Sequence, residues 1–244
     1  MTSHIEPHDL AGRILSELHT HANPDNVAGM ARYGISPVGT LGVTMPIVRG
    51  LARDAKRELR KDKPALHEFA ALLWASGVHE ARILATVVDV PELLSRNEAE
   101  ERALDLDSWD TCDQLCGNLL WRTSFAWELP ADCTSRPETF VKRAGFVVAV
   151  QLFKVKPVDD TRYLPFLDLI ERHCTDERND VKKGVNWALR QIGKNSPGLN
   201  AAAIETAERI LAERPDSKAA RWIARDALRE LRSDAVRTRL GLLG

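Results

Sequence analysis

VKKGVNWALRQIGK, Val181 to Lys194, shows the period that runs through the chain. Val181, Val185, Ala188, Leu189 and Ile192 recur at intervals of three and four, the spacing that gathers side chains on one face of an α-helix. A half-buried strand would alternate at every second residue, and this stretch does not. With about 100° of rotation per residue, Trp187 falls roughly 145° from the centre of the apolar stripe. It shares that outer face with Lys183, Arg190 and Lys194. The segment therefore reads as a helix with one core face, and with an indole among cations on the other.

The same period extends in both directions. It predicts helices at Ile5–His19, Asn23–Ala31, Met45–Leu59, Lys63–Ala75, Val78–Val88, Pro91–Ala103, Ser108–Leu120, Pro137–Phe153, Arg162–Cys174, Val181–Lys194, Leu199–Ala212 and Ser217–Leu231. No segment alternates convincingly with period two, so the expected class is all-α. Breaks such as Tyr33-Gly34-Ile35-Ser36-Pro37, Asp62-Lys63-Pro64 and Asn195-Ser196-Pro197-Gly198 are short. Helices joined by such turns pair into hairpins, and hairpins of about 35–45 residues stacked side by side make a HEAT-like α-solenoid, an α-α superhelix whose concave face suits a long ligand. The expectation is a single domain over residues 1–244, with residues 1–30 a candidate divergent N-terminal helical cap.

Composition fits folding and excludes some partners. At 244 residues, 44% hydrophobic and 28% charged, the chain is long enough and apolar enough for a sizeable core. The net charge of −1 gives no whole-chain signature for nucleic acid or membrane, so any polyanion must be read by a local patch. Cys112, Cys116, Cys133 and Cys174 contain no CxxC pair and read as buried thiols in a reducing compartment. MTSHIEPHDL has neither a basic start nor an apolar core, and no apolar run approaches the ~18–20 residues of a membrane span, so a cytoplasmic protein is expected.

Three places carry side chains that helical arithmetic does not assign to a core. At Trp187 the alternatives are packing against a neighbouring repeat, or contact with a polyanion whose phosphates meet the cations while the indole lies against sugar or base. In LDSWDTCDQL, Leu106 to Leu115, a helix capped by Asp107 or Ser108 buries Cys112, Leu115, Cys116 and Leu119. Trp109 and Asp113 then stand together on its flank, four residues apart. They are either a boundary indole shielding a solvated carboxylate, or an indole wall beside a charge, a pairing that stabilises a cation. The third place is Pro137–Phe153, whose apolar residues cover nearly the whole circumference. An arginine at position 143 of so buried a helix needs a partner, either an internal carboxylate or a phosphate. Metal and nucleotide motifs do not appear: His79-Glu80-Ala81-Arg82 lacks the second histidine of a zinc-protease helix, His19 and His21 bring no ligand cluster, and there is no GxSxG, P-loop or GxGxxG.

Four stretches together resemble a known family. They are Ser76-Gly77-Val78-His79-Glu80-Ala81-Arg82, Ser108-Trp109-Asp110-Thr111-Cys112-Asp113, Val141-Lys142-Arg143-Ala144-Gly145-Phe146 and Val181 to Lys194. They are similar to the AlkD-like DNA alkylation repair proteins, HEAT-like-repeat DNA glycosylases, from about Tyr33 to Leu231. The resemblance implies excision of positively charged N3- and N7-alkylated purines from duplex DNA, with no cofactor and no metal. It implies that Asp113 is the catalytic carboxylate, that Trp109 and Trp187 line the lesion's deoxyribose, and that Arg143 contacts the backbone nearby. Lys142, Lys183, Arg190 and Lys194 complete the expected DNA-binding set on a concave face. An open flank bearing Trp109 and Asp113 leaves little room for an extruded base, and the resemblance implies attack on the sugar from the backbone side. A monomer is expected, since the resemblance implies an enzyme that acts alone and no coiled-coil heptads appear. The competing expectation is a non-catalytic HEAT-repeat scaffold that binds DNA or protein and gives Asp113 no chemistry.

Overall fold

A computed structural model of the chain describes residues 5–157 and 159–242. Among them are fourteen α-helices and no strand: α1 (Pro7–Thr20), α2 (Pro24–Ala31), α3 (Met45–Glu58), α4 (Lys63–Ala75), α5 (His79–Val88), α6 (Arg96–Leu104), α7 (Trp109–Asn118), α8 (Leu129–Thr134), α9 (Thr139–Gln151), α10 (Leu164–His173), α11 (Asn179–Ile192), α12 (Pro197–Glu213), α13 (Lys218–Leu231) and α14 (Asp234–Arg239). No helix among the described residues is long and apolar enough to cross a membrane. By its contacts the chain divides into two compact units, Met1–Ser124 and Phe125–Gly244.

In the first unit α5 packs on α3, α4 and α7, while α1 packs chiefly on α4. The layers are therefore α3–α5–α7 and α1–α4, and the N-terminal helix belongs to this core: Leu10, Ile14 and Leu18 are buried. Proline in the first turn of α1, α2, α3 and α4 starts each helix where its missing N–H has no helical partner to lose. The sequence predicted a helix from Pro91, but α6 begins at Arg96. There Ser95 and Glu98 form a reciprocal capping box, each side chain accepting the other's backbone N–H, and Pro91 is left in the preceding turn.

A charged joint fastens α4, α5 and α6. The Trp74 indole N–H donates to Asp105 at 2.9 Å, and the guanidinium groups of Arg82 and Arg102 lie 5.4 and 5.5 Å from its ring centre. Arg102 is buried and pairs with buried Asp89 at 2.5 Å, while His67 meets the other Asp89 oxygen at 2.7 Å. A buried ion pair is tolerated when its remaining hydrogen-bonding capacity is filled in this way.

The second unit is regular. Helices α9, α11 and α13 pack side by side, α8, α10 and α12 form the other layer, and α8/α9, α10/α11 and α12/α13 are successive hairpins. The helices α9, α11 and α13 begin at Thr139, Asn179 and Lys218, a spacing of about forty residues that suits a HEAT-like repeat. Two helices here escaped the sequence reading. The six-residue α8 is too short for its period to register, and its place is fixed by packing on α9: a Cβ on Gly145 would come within 2.8 Å of Thr134 Cγ2 and 3.0 Å of the Pro130 carbonyl. The other, α14, is equally short and starts at the Ser233 cap. An aromatic cluster fills the α8–α10 end, with Tyr163 stacked on Phe153 at 3.9 Å and edge-on to Trp127 at 5.3 Å.

Candidate nucleic-acid interface

In the first unit α7 divides its faces as the spacing predicts. Cys112, Leu115, Cys116 and Leu119 are fully buried, whereas Trp109 and Asp113 are half-buried on the flank. Ser108 occupies the N-cap position, but its hydroxyl accepts the Ser36 N–H at 2.9 Å instead of capping α7. Trp109 is oriented from outside its helix: its indole N–H donates to the Tyr33 carbonyl at 3.0 Å. With the N–H satisfied there, the ring's remaining chemistry is its π-face.

Trp109 walls a cleft of about 600 Å³ together with Met30, Tyr33, Met45, His79 and Ile83. The loop between α2 and α3 runs beside Trp109 and forms the other side of this open cleft. The cleft's lining along α7 reaches Asp110 and does not include Asp113, one turn further on. The loop is held from below by Glu80, which is 1% exposed. One of its carboxylate oxygens accepts the N–H groups of Gly42 at 2.7 Å and Val43 at 3.1 Å, and the other accepts that of Leu41 at 3.0 Å. Gly42 is required there: its φ is +78°, and a Cβ would lie 2.2 Å from the Asn23 carbonyl oxygen.

His79, beside Glu80, is 3% exposed and meets Asp110 at 2.9 Å. Burial alone would depress its pKa, but the Asp110 hydrogen bond and the charges of Asp110, Glu80 and Asp107 together raise it above the ordinary value. The His79-Glu80 pair, inconclusive as a metal motif, is therefore a brace for the loop and for the first turn of α7. Among the described residues no group of three histidine, cysteine, aspartate or glutamate side chains is placed to hold a metal ion.

In the second unit Arg143 is 6% exposed on α9 and donates to the Asp180 carbonyl at 2.8 Å, its stem lying over Gly184 of α11. Lys142 is half-buried and stands 3.9 Å from Asp176, whose principal partner is Arg178 at 2.6 Å. Trp187 is half-buried on α11. With the Gln191 amide oriented so that its oxygen faces donors, that oxygen accepts from the indole N–H at 3.2 Å and from Lys194 Nζ at 3.0 Å.

The cations around Trp187 are not equivalent. Arg190 and Lys194 both reach Glu230 of α13, at 2.7 and 2.5 Å, and only Lys183 is exposed. Burial works to raise the Glu230 pKa, but the Lys194 hydrogen bond and the charges of Arg190 and Lys194 hold it below the ordinary carboxylate range. The expectation of three cations facing outward is corrected accordingly: two belong to an ion-pair joint between α11 and α13. Sequence spacing within one helix could not reveal Glu230, a partner from the next hairpin.

Comparison with known proteins agrees with this architecture. Among curated protein sequences none matches the chain. A solved structure described as belonging to a new family of proteins related to the HEAT-like repeat DNA glycosylases, with affinity for branched DNA structures, superposes with a TM-score of 0.73. It is 15% identical and covers 94% of this chain and 95% of that one, a likeness of fold. The sequence pattern of the DNA alkylation repair enzymes matches residues 14–231, nearly the whole length, and the chain belongs to that family.

Proposed function

We propose that the protein is a DNA glycosylase that releases N3- and N7-alkylated purines from duplex DNA, with Asp113 as its catalytic carboxylate. The observation that carries the reading is on α7, where Trp109 and Asp113 share the flank and the indole is fixed by the Tyr33 carbonyl. Glycoside hydrolysis usually needs two carboxyl groups, one to protonate the leaving group and one to support the oxocarbenium-like sugar. An N3- or N7-alkylated purine is already cationic. When its N-glycosidic bond breaks, the bonding electrons neutralise the departing base, so no acid is required. One carboxylate then suffices to stabilise the positive sugar and to orient the water that adds at C1′ and loses its proton.

The π-face of Trp109 favours the same cationic sugar. Enzymes that extrude a base enclose it in a pocket beside the catalytic group. Asp113 lies outside the lining of the Trp109 cleft, which supports attack on a sugar that stays at the backbone. In the second unit Trp187 is assigned to sugar contact, and Arg143, Lys142 and Lys183 to phosphates. Arg190 and Lys194 reach phosphate when Glu230 yields them.

Purified protein is expected to free 7-methylguanine or 3-methyladenine from alkylated duplex without added metal. Asp113→Asn should slow release by about 10²–10³-fold, the range for removing one preorganised charge-stabilising group. Tight DNA binding with no base release by wild-type protein refutes the catalytic reading. It would favour the second one, a DNA-structure-binding HEAT scaffold, which the described affinity of the solved relative for branched DNA also suits.

A further inference from the structure

Helix α13 carries a second aromatic and basic surface, centred on Trp222 and adjoining the Trp187 cations at Arg190. Ala219, Ala220, Ile223, Ala224, Ala227 and Leu231 form its buried face. On the opposite side Lys218, Arg221, Trp222, Arg225 and Arg229 line a cleft of about 440 Å³. Trp222 is 43% exposed, the most exposed tryptophan among the described residues. Lys182 of α11 lies over one face of its ring, 5.3 Å from the centre, and leaves the other face for a ligand. The one carboxylate in the cleft, Asp226, is engaged by Arg229 and stands 3.6 Å from Arg190. Lys218 and Arg225 make no ion pair among the described residues.

We infer that this stripe is a binding site for single-stranded DNA adjoining a duplex, with Lys218, Arg225 and Lys182 on phosphates and Trp222 stacked on an unpaired base. Lys218 to Arg229 spans about 16 Å along the helix, enough for several consecutive phosphates. Cations alone would suit any polyanion. An open indole among them adds a platform for a planar base, which a continuous duplex keeps stacked within itself and an unpaired nucleotide offers freely. An acidic protein segment would satisfy the cations and leave the indole without a matching group. The inference rests on the DNA-binding part of the proposed function and is independent of Asp113.

The test is fluorescence anisotropy with a short labelled duplex and the same duplex carrying a single-stranded tail, reading the ratio of the two affinities. Wild-type protein is expected to favour the tailed DNA. Trp222→Ala should reduce that ratio by about tenfold, Trp222→Phe should restore most of it, and Arg225→Glu should flatten the salt dependence of tailed-DNA binding. Because the ratio is read, a general loss of folded protein does not imitate the effect. Equal affinity of wild-type protein for the two probes overturns the inference, as does a ratio unchanged in Trp222→Ala. So does sedimentation showing that Arg225→Glu dissociates a self-associated form. Base release from fully paired alkylated DNA is measured beside it: its absence with the tail preference intact sinks the glycosylase reading alone, and failure to bind either probe sinks both.

Discussion

Replacing Glu80 by glutamine removes one charge from the interior and leaves the volume almost unchanged. The carboxylate serves three backbone N–H groups, and the amide can serve two, with its oxygen in the place that now accepts from Gly42 and Val43. Its nitrogen then faces the Leu41 N–H, and that hydrogen bond is lost. Bonds to a charged acceptor contribute about 1.5–3 kcal/mol and neutral ones about 0.5–1.5. Losing one of the first kind and converting two to the second costs about 4 kcal/mol, a large part of the ~5–15 kcal/mol that holds a folded protein. For a chain of this size the melting temperature should fall by roughly 8–16 °C.

The loss should also be local. Amide hydrogen exchange is expected to accelerate at Leu41, Gly42 and Val43 before the rest of the first unit. Base release should slow, because the same loop borders the cleft that Trp109 walls. Circular-dichroism melting and exchange by mass spectrometry measure the two effects. A melting temperature within a degree or two of wild type, with exchange unchanged at those amides, refutes the idea that a buried carboxylate holds the loop.

The His79–Asp110 pair makes stability depend on pH. With its folded pKa raised above 6.5, His79 contributes stability that is complete below that value and is lost as pH rises through the elevated one. Denaturation between mildly acidic and alkaline pH should show this decline in wild type, and His79→Gln should remove it. Glu230→Gln frees Arg190 and Lys194 from their shared carboxylate. Duplex affinity measured against salt should rise at low salt, with a steeper slope by up to about two counterions. Gly145→Ala drives a methyl into Thr134 and the α8 backbone, and urea denaturation should report a loss of about 1–3 kcal/mol.

The helical class was legible because burial follows the period so closely. In α7 and α11 the predicted apolar stripes are the buried ones, and Trp109, Asp113 and Trp187 stand off them as the rotation requires. What escaped depends on partners distant in sequence. Glu80 is a loop clamp only because residues 41–43 fold over it, and Glu230 neutralises Arg190 and Lys194 from another hairpin. The six-residue α8 is specified by the space over Gly145 more than by its own pattern. The buried setting of Arg143 calls for a partner, but the backbone carbonyl of Asp180 is one that no side-chain pattern can announce.

Trp109 is anchored by the main chain of residue 33, while the side chain of that residue is 77% exposed and borders the cleft. Every amino acid carries the same carbonyl, so the identity of residue 33 is released from the duty of aiming the indole. Evolution or design can reshape the mouth of the cleft at that single codon, enlarging it, charging it or closing it, without moving the ring that stands behind it.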